Sequence, residues 1–125
     1  MAEASTKKGV SFAQLRKLAL ALPGVEESTS YGTPAFKVGK KAFIRLHQDG
    51  KSLVIIHISF DEREMLMERD PDAFYITDHY RNWPAMLVGL AHVRADTLAP
   101  LIEQSWRHFA PKKWLAAYDA TRRPA

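Results

Sequence analysis

The chain contains no cysteine. That excludes a disulfide scaffold, a thiolate zinc site and thiol catalysis together. Its six glycines are scattered, and no glycine-rich phosphate loop can be built from them. The stretch "GTPAFKVGK" carries Gly32 and Gly39 but lacks the Lys-Ser/Thr ending of a P-loop. No G-x-S-x-G elbow is present. No run approaches the ~20 apolar residues needed to span a bilayer. The polar start "MAEASTKKGV" lacks the apolar stretch of a signal peptide. A soluble, cytoplasmic protein with no membrane partner is therefore expected. None of the histidines (His47, His57, His79, His92, His108) pair at i, i+4. No nucleophile, base and orienting group can be assembled from the motifs. The sequence thus reads as non-enzymatic, with no catalytic residues, no cofactor and no metal ligands.

What is present fits one globular domain. The chain has 125 residues, 46% of them hydrophobic and 10% aromatic, enough to bury a core without staples. We expect a flexible arm over 1–10, a single domain over 11–120 and a flexible tail over 121–125. Net charge is +4, mildly favourable for polyanions. Its distribution is uneven. Between Lys37 and Lys51 lie Lys40, Lys41 and Arg45, opposed only by Asp49, whereas Asp61, Glu62, Glu64, Glu68, Asp70 and Asp72 crowd the next helix. The tail turns basic again at Arg107, Lys112, Lys113, Arg122 and Arg123.

Periodicity and punctuation set the element order. Ser11 with Gln14 forms an S-x-x-Q capping box, and Phe12, Leu15, Leu18, Ala19 and Leu22 mark one helical face. Pro23-Gly24 stops that helix. Val25–Ser30 reads as a short edge strand, and Tyr31-Gly32-Thr33-Pro34 as a turn. Ala35–Val38 and Lys41–His47 read as strands joined at Gly39-Lys40, with Phe36, Val38, Ile44 and Leu46 inward. "HQDG" at 47–50 is a second hairpin turn. Ser52–Ile58 reads as a central strand, and 60–70 as a helix capped by Ser59 or Asp61, with Met65 and Leu66 facing the sheet. Strands are expected over 73–78 and 85–93, then a helix capped by Asp96 and running to about Phe109. A last helix is launched by Pro111. The order predicts an α+β fold in two layers, an antiparallel β-sheet with helices packed on one face.

Two sets of residues carry functional expectations. Lys37, Lys40, Lys41, Arg45 and Lys51 lie on or beside hairpins. Tyr80, Arg81 and Trp83 share one loop, and Lys112 and Lys113 open the last helix. Cations bind phosphate and planar side chains stack on bases, so these ten residues form a candidate nucleic-acid interface with DNA as the expected partner. The alternative is a small-molecule or protein-interaction module, with Tyr31, His57, His79, Tyr80 and Trp83 lining a pocket. The carboxylates Asp61, Glu64 and Glu68 fall at i, i+3, i+7 and read as a solvated helix face. A monomer is the favoured oligomeric state.

Three blocks, "LALALPGVEESTSYGTPAFKVGKKAFIRL", "FYITDHYRNWPAMLVGL" and "LIEQSWRHFAPKKWLAAY", resemble the MmcQ/YjbR family of small bacterial proteins over about residues 12–118. The resemblance implies an α+β domain with a frataxin-like (CyaY-like) fold and DNA binding through a double-wing arrangement. It places the first wing on the Lys37–Lys51 hairpins. The family's T-P-H-Y motif is matched by Thr77, Asp78, His79 and Tyr80, with Asp in place of Pro. In V-L-V-R-L the basic residue is replaced by Gly89. Both departures remove rigid or cationic character near the second wing.

Overall fold

A computed structural model describes residues 8–122. The first helix, α1 (Phe12–Leu20), opens through the capping box read from the sequence. Ser11 Oγ accepts from Gln14 N at 3.1 Å, and Gln14 Oε1 accepts from Ser11 N at 2.8 Å. Leu15 and Ala19 on its inner face are fully buried. Gly24 (φ +71°) turns the chain into the sheet where a Cβ would lie 2.5 Å from the Trp114 indole nitrogen. Only glycine fits both the angle and the space.

Six strands form one antiparallel sheet. They are β1 (Val25–Ser30), β2 (Thr33–Val38), β3 (Lys41–Leu46), β4 (Ser52–Ile55), β5 (Phe74–Tyr75) and β6 (Met86–Gly89), in spatial order β1-β2-β3-β4-β6-β5. Two tight turns set the meander. Tyr31 and Gly32 have φ of 55° and 79°, and Gly39 and Lys40 have 57° and 70°. Positive φ at both central residues defines turns that follow the right-handed strand twist. Between β2 and β3, Phe36 pairs with Ile44 and Lys37 with Ala42. Phe43 is therefore the extra residue of a bulge. That is why Phe43 and Ile44, neighbours in sequence, are both fully buried.

The two faces of the sheet differ. One carries Phe36, Val38, Leu53, Ile55, Met86 and Val88 into the main core with α1, α2 (Phe60–Arg69) and α3 (Ala95–Phe109), and α4 (Lys112–Arg122) packs against it. Trp106 of α3 is fully buried there, its indole N–H donating to Pro23 O at 3.1 Å. The outer face holds a smaller cluster of Val54 and Leu87 under Tyr80 and Ala85. The segment from Ile76 to Ala85, with a single 3₁₀ turn at Asp78–Tyr80, folds over that face.

Several expected boundaries move. The expected 52–58, 73–78 and 85–93 strands shorten to Ser52–Ile55, Phe74–Tyr75 and Met86–Gly89. At Gly89 a Cβ would stand 3.3 Å from Asp72 O, and the chain then turns as His92 N and Val93 N both donate to Gly89 O. Helix α2 is capped by Ser59, whose Oγ accepts from Glu62 N. Its inner face is Leu66 with Arg63, while Met65 is 49% exposed. Arg94, not Asp96, takes the cap position of α3, and the Asp96 carboxylate receives the Arg94 guanidinium instead. At the N-terminal boundary, residues 8–10 are tied to the domain. Gly9 N donates to Val93 O and Val10 N to Leu90 O, and Val10 is buried. The rest of the expected arm (1–7) and residues 123–125 of the expected tail lie outside the described residues.

Candidate functional site

Cross-strand partners share a face, so the register places the outer-face side chains. Ala35 stands opposite Arg45, and Arg45 opposite Val54. Arg45 therefore projects from the outer face, next to the apolar cluster. Its guanidinium donates to the Tyr80 hydroxyl at 2.5 Å and lies 5.4 Å from the centre of the Tyr31 ring. Tyr80 itself is 8% exposed. One half-buried cation thus joins the β1–β2 turn, the centre of β3 and the loop that covers the sheet.

That loop is held by a residue the sequence reading passed over. Arg63, in the acidic helix, is 4% exposed. It donates to the carbonyls of Tyr80 (3.1 Å), Trp83 (2.6 Å), Ala85 (3.0 Å) and Arg81 (3.0 Å), with the Phe60 ring against its guanidinium. A buried arginine usually needs a carboxylate; here four peptide dipoles solvate the charge. The available signal was its spacing, three residues before the inward Leu66.

Ser105 anchors the other end of the site. It donates to Phe43 O at 2.6 Å and accepts from His57 N at 3.1 Å, joining α3 to the bulged carbonyl and to the residue beyond β4. One turn later, His108 stacks on His57, with ring centres 3.6 Å apart and planes 6° apart. Burial, and after it the neighbouring His108, lower the His57 pKa below its ordinary value. At the opposite end, His47 Nδ1 is buried without a hydrogen bond, 3.4 Å from Asp49 Oδ1.

These pieces enclose an open groove of about 940 Å³ on the outer face, lined by Tyr31, Arg45, His47, Val54, Ile56, His57, His79, Tyr80, Trp83 and His108 among others. All five residues expected to share a pocket (Tyr31, His57, His79, Tyr80, Trp83) border it. Tyr31 is 83% and Trp83 62% exposed. Among the described residues, no Asp or Glu lines it.

The ten residues expected to contact nucleic acid are spread more widely. Lys37 stands opposite Glu26 on one side and Ala42 on the other. Lys40 and Lys41 sit at the β2–β3 turn, and Lys51 at the β3–β4 turn, the opposite end of the sheet. Arg81 pairs with Asp78 at 2.5 Å. The Gly39 turn packs on the Pro111 ring, which a Cβ would meet at 3.1 Å. Lys40 and Lys41 are thereby brought to the start of α4, where Lys112 and Lys113 lie. Arg45, Tyr80 and Trp83 belong to the groove.

A second concavity, of about 800 Å³, lies between the β3–β4 turn and the Gly89–His92 turn. Its polar groups are largely engaged with one another. Asp49 accepts from Lys51 N, Ser52 N and Ser52 Oγ, and Ser52 Oγ also meets the Tyr75 hydroxyl. Among the described residues, no three His, Asp or Glu side chains are grouped to hold a metal ion, and no helix is long and apolar enough to cross a membrane.

The YjbR family model matches residues 20–108. The chain belongs to the YjbR family. An uncharacterised protein of Mycobacterium bovis and two of Mycobacterium tuberculosis are each 28% identical over 90 residues, covering 70% of either chain. The crystal structure of Deinococcus radiodurans protein DR2400, a DUF419 domain, superimposes with a TM-score of 0.65 at 23% identity, covering 77% of this chain and 75% of that one. That likeness supports the α+β fold of this YjbR protein. The matched span contains the sheet, Arg63 and every residue named above as lining the groove.

Proposed function

We propose that this YjbR protein is a binding module, not an enzyme, and that its ligand occupies the outer-face groove. The observation that carries this reading is convergence. Side chains from the β1–β2 turn, β3, the end of β4, the 76–85 loop and the end of α3 meet around one concavity. Two of them, Tyr31 and Trp83, are large rings left in water. Convergent polar groups over an apolar floor are the usual makeup of a ligand site. The test is a thermal-shift screen of metabolites, followed by tryptophan fluorescence on the hits. A groove ligand should quench Trp83, and Trp83→Phe should abolish that response while Trp106 and Trp114 remain. A hit whose quenching survives Trp83→Phe binds elsewhere and counts against the reading.

Nucleic-acid binding is the second reading. It is favoured by the gathering of Lys40, Lys41, Lys112 and Lys113 at one end of the sheet. Under it, Lys40→Glu with Lys41→Glu weakens binding of any sequence about equally and flattens the salt dependence. Fluorescence anisotropy at about 50 mM salt, with a mixed duplex and a single strand, decides it. No binding to either would remove this reading.

A further inference from the structure

We propose that the groove takes small ligands that join a flat ring to an anionic group, phosphate or carboxylate, with the anion on Arg45 and the ring against Tyr31 and Trp83. This deepens the groove reading and rests on it.

The charge pattern carries the first half. Among the described residues Arg16, Arg81, Arg94 and Arg107 each pair with a carboxylate, Arg63 donates to four carbonyls although its Nε has no partner, and Arg69 is exposed to solvent at the end of α2. Among the described residues Arg45 makes no ion pair; its guanidinium donates to the Tyr80 hydroxyl and lies against the Tyr31 ring. A guanidinium offers five N–H donors in a fork that matches a carboxylate or phosphate, and Tyr80 takes one. Being half-buried, the charge is screened less than a surface lysine. The nearby acids are engaged by other groups. Asp49 is held by Ser52 and two backbone amides, with His47 3.4 Å away, and Asp78 by Arg81. Among the described residues a cationic ligand would find no carboxylate on the groove wall, whereas an anion finds Arg45.

The backbone carries the second half. Tyr31 sits at φ 55°, a left-handed position that favours Asn or Gly. Its ring packs on Arg45 and is otherwise in solvent. At this position Asn would be less strained, and the exposed ring buries little in return. Strain of this kind concentrates at ligand sites. Trp83 is likewise exposed, although Arg63 fixes its carbonyl. Rigid aromatics with few rotors are the side chains that bind flat surfaces at least entropic cost.

The experiment titrates the full chain, ¹⁵N-labelled, with 1-naphthyl phosphate, 2-naphthoate, 2-naphthalenemethanol and 1-naphthylmethylamine, following amide and indole shifts. Both anionic probes should move Tyr31, Arg45 and the Trp83 indole, and bind at least about tenfold tighter than the neutral alcohol, with the amine weakest. Arg45→Gln should remove the anion preference, bringing both anions down to about the affinity of the alcohol. Tyr31→Asn should melt no lower than the parent yet weaken every probe. If the alcohol or amine binds in the groove as tightly as the anions, the ligand class proposed here is wrong and the groove reading stands. If no probe moves groove resonances, the ligand class proposed here is wrong; if the ligands that do bind shift resonances only elsewhere, the groove reading falls with it.

Discussion

At the residue scale, the site depends on a few side chains whose roles follow from what surrounds them. Arg63 is the clearest. Replacing it with Leu removes the guanidinium from all four carbonyls; those of Tyr80 and Trp83 keep the amides of Trp83 and Ala85, while those of Arg81 and Ala85 lose their donor. We expect a loss of about 3–5 kcal/mol in urea unfolding. Arg63→Lys should recover little, because an ammonium cannot reproduce the planar fork. A loss below about 1 kcal/mol would mean that the loop is held by something else. His57 gives a pH signature. Its pKa is lowered below 6.5 in the fold, by burial first and by His108 second. Below that value the unfolded chain binds the proton more readily than the folded one. Stability is therefore retained above about pH 6.5 and declines as pH falls through the window beneath it. The fall in Tm between about pH 7 and 5 should be shallower in His57→Gln; an identical slope would remove His57 from the explanation.

At the element scale, turn chemistry was legible and strand ends were not. The capping box of α1, the stop at Pro23-Gly24 and the hairpin at Gly39-Lys40 are local signals, and each appears as read. Ser52–Ile58, 73–78 and 85–93 looked like longer strands because their apolar runs continue past the ladder. Ile56 instead packs with the outer-face cluster and Ile58 enters the main core. Burial by a covering loop or helix looks the same in sequence as burial by a neighbouring strand. The position of Arg63 was hidden for a related reason. It lies among six acids, and a charge run reads as solvated until tertiary contacts appear. The Gly39 turn offers a test of element docking. Gly39→Ala would put a methyl at φ +57°, against the Pro111 ring at 3.1 Å. We expect about 1–2 kcal/mol of destabilisation, with loosening at the start of α4. Hydrogen exchange at Trp114 and Leu115, whose amides donate to Pro111 O, should rise. Unchanged protection there would argue that the turn and helix are independent.

At the scale of the whole molecule, the sheet has a filled face and a partly open one. Three helices and part of a fourth fill the first, while a loop pinned by Arg63 leaves the second partly open as a groove. The composition of that groove was legible in outline. Tyr31, His79, Tyr80 and Trp83 were recognisable as aromatics and a histidine in turns and loops, and His57 as a lone histidine in an otherwise apolar strand. Arg45 was assigned to a basic hairpin, since nothing in the sequence pairs it with Tyr80, 35 residues away. His108 was missed because only the Ser105 anchor brings it onto His57. The family resemblance predicted the fold, and the family match over 20–108 agrees with it.

The most direct measurement is therefore a map of where this protein binds anything at all. A mixed fragment library is titrated into the ¹⁵N-labelled chain, and every amide and indole shift is placed on the fold. We predict shifts concentrated at Tyr31, Arg45, His57, Tyr80 and Trp83. Shifts gathered instead at Lys40, Lys41, Lys112 and Lys113, or around the 49–52 and 89–92 turns, would contradict the groove as the functional site.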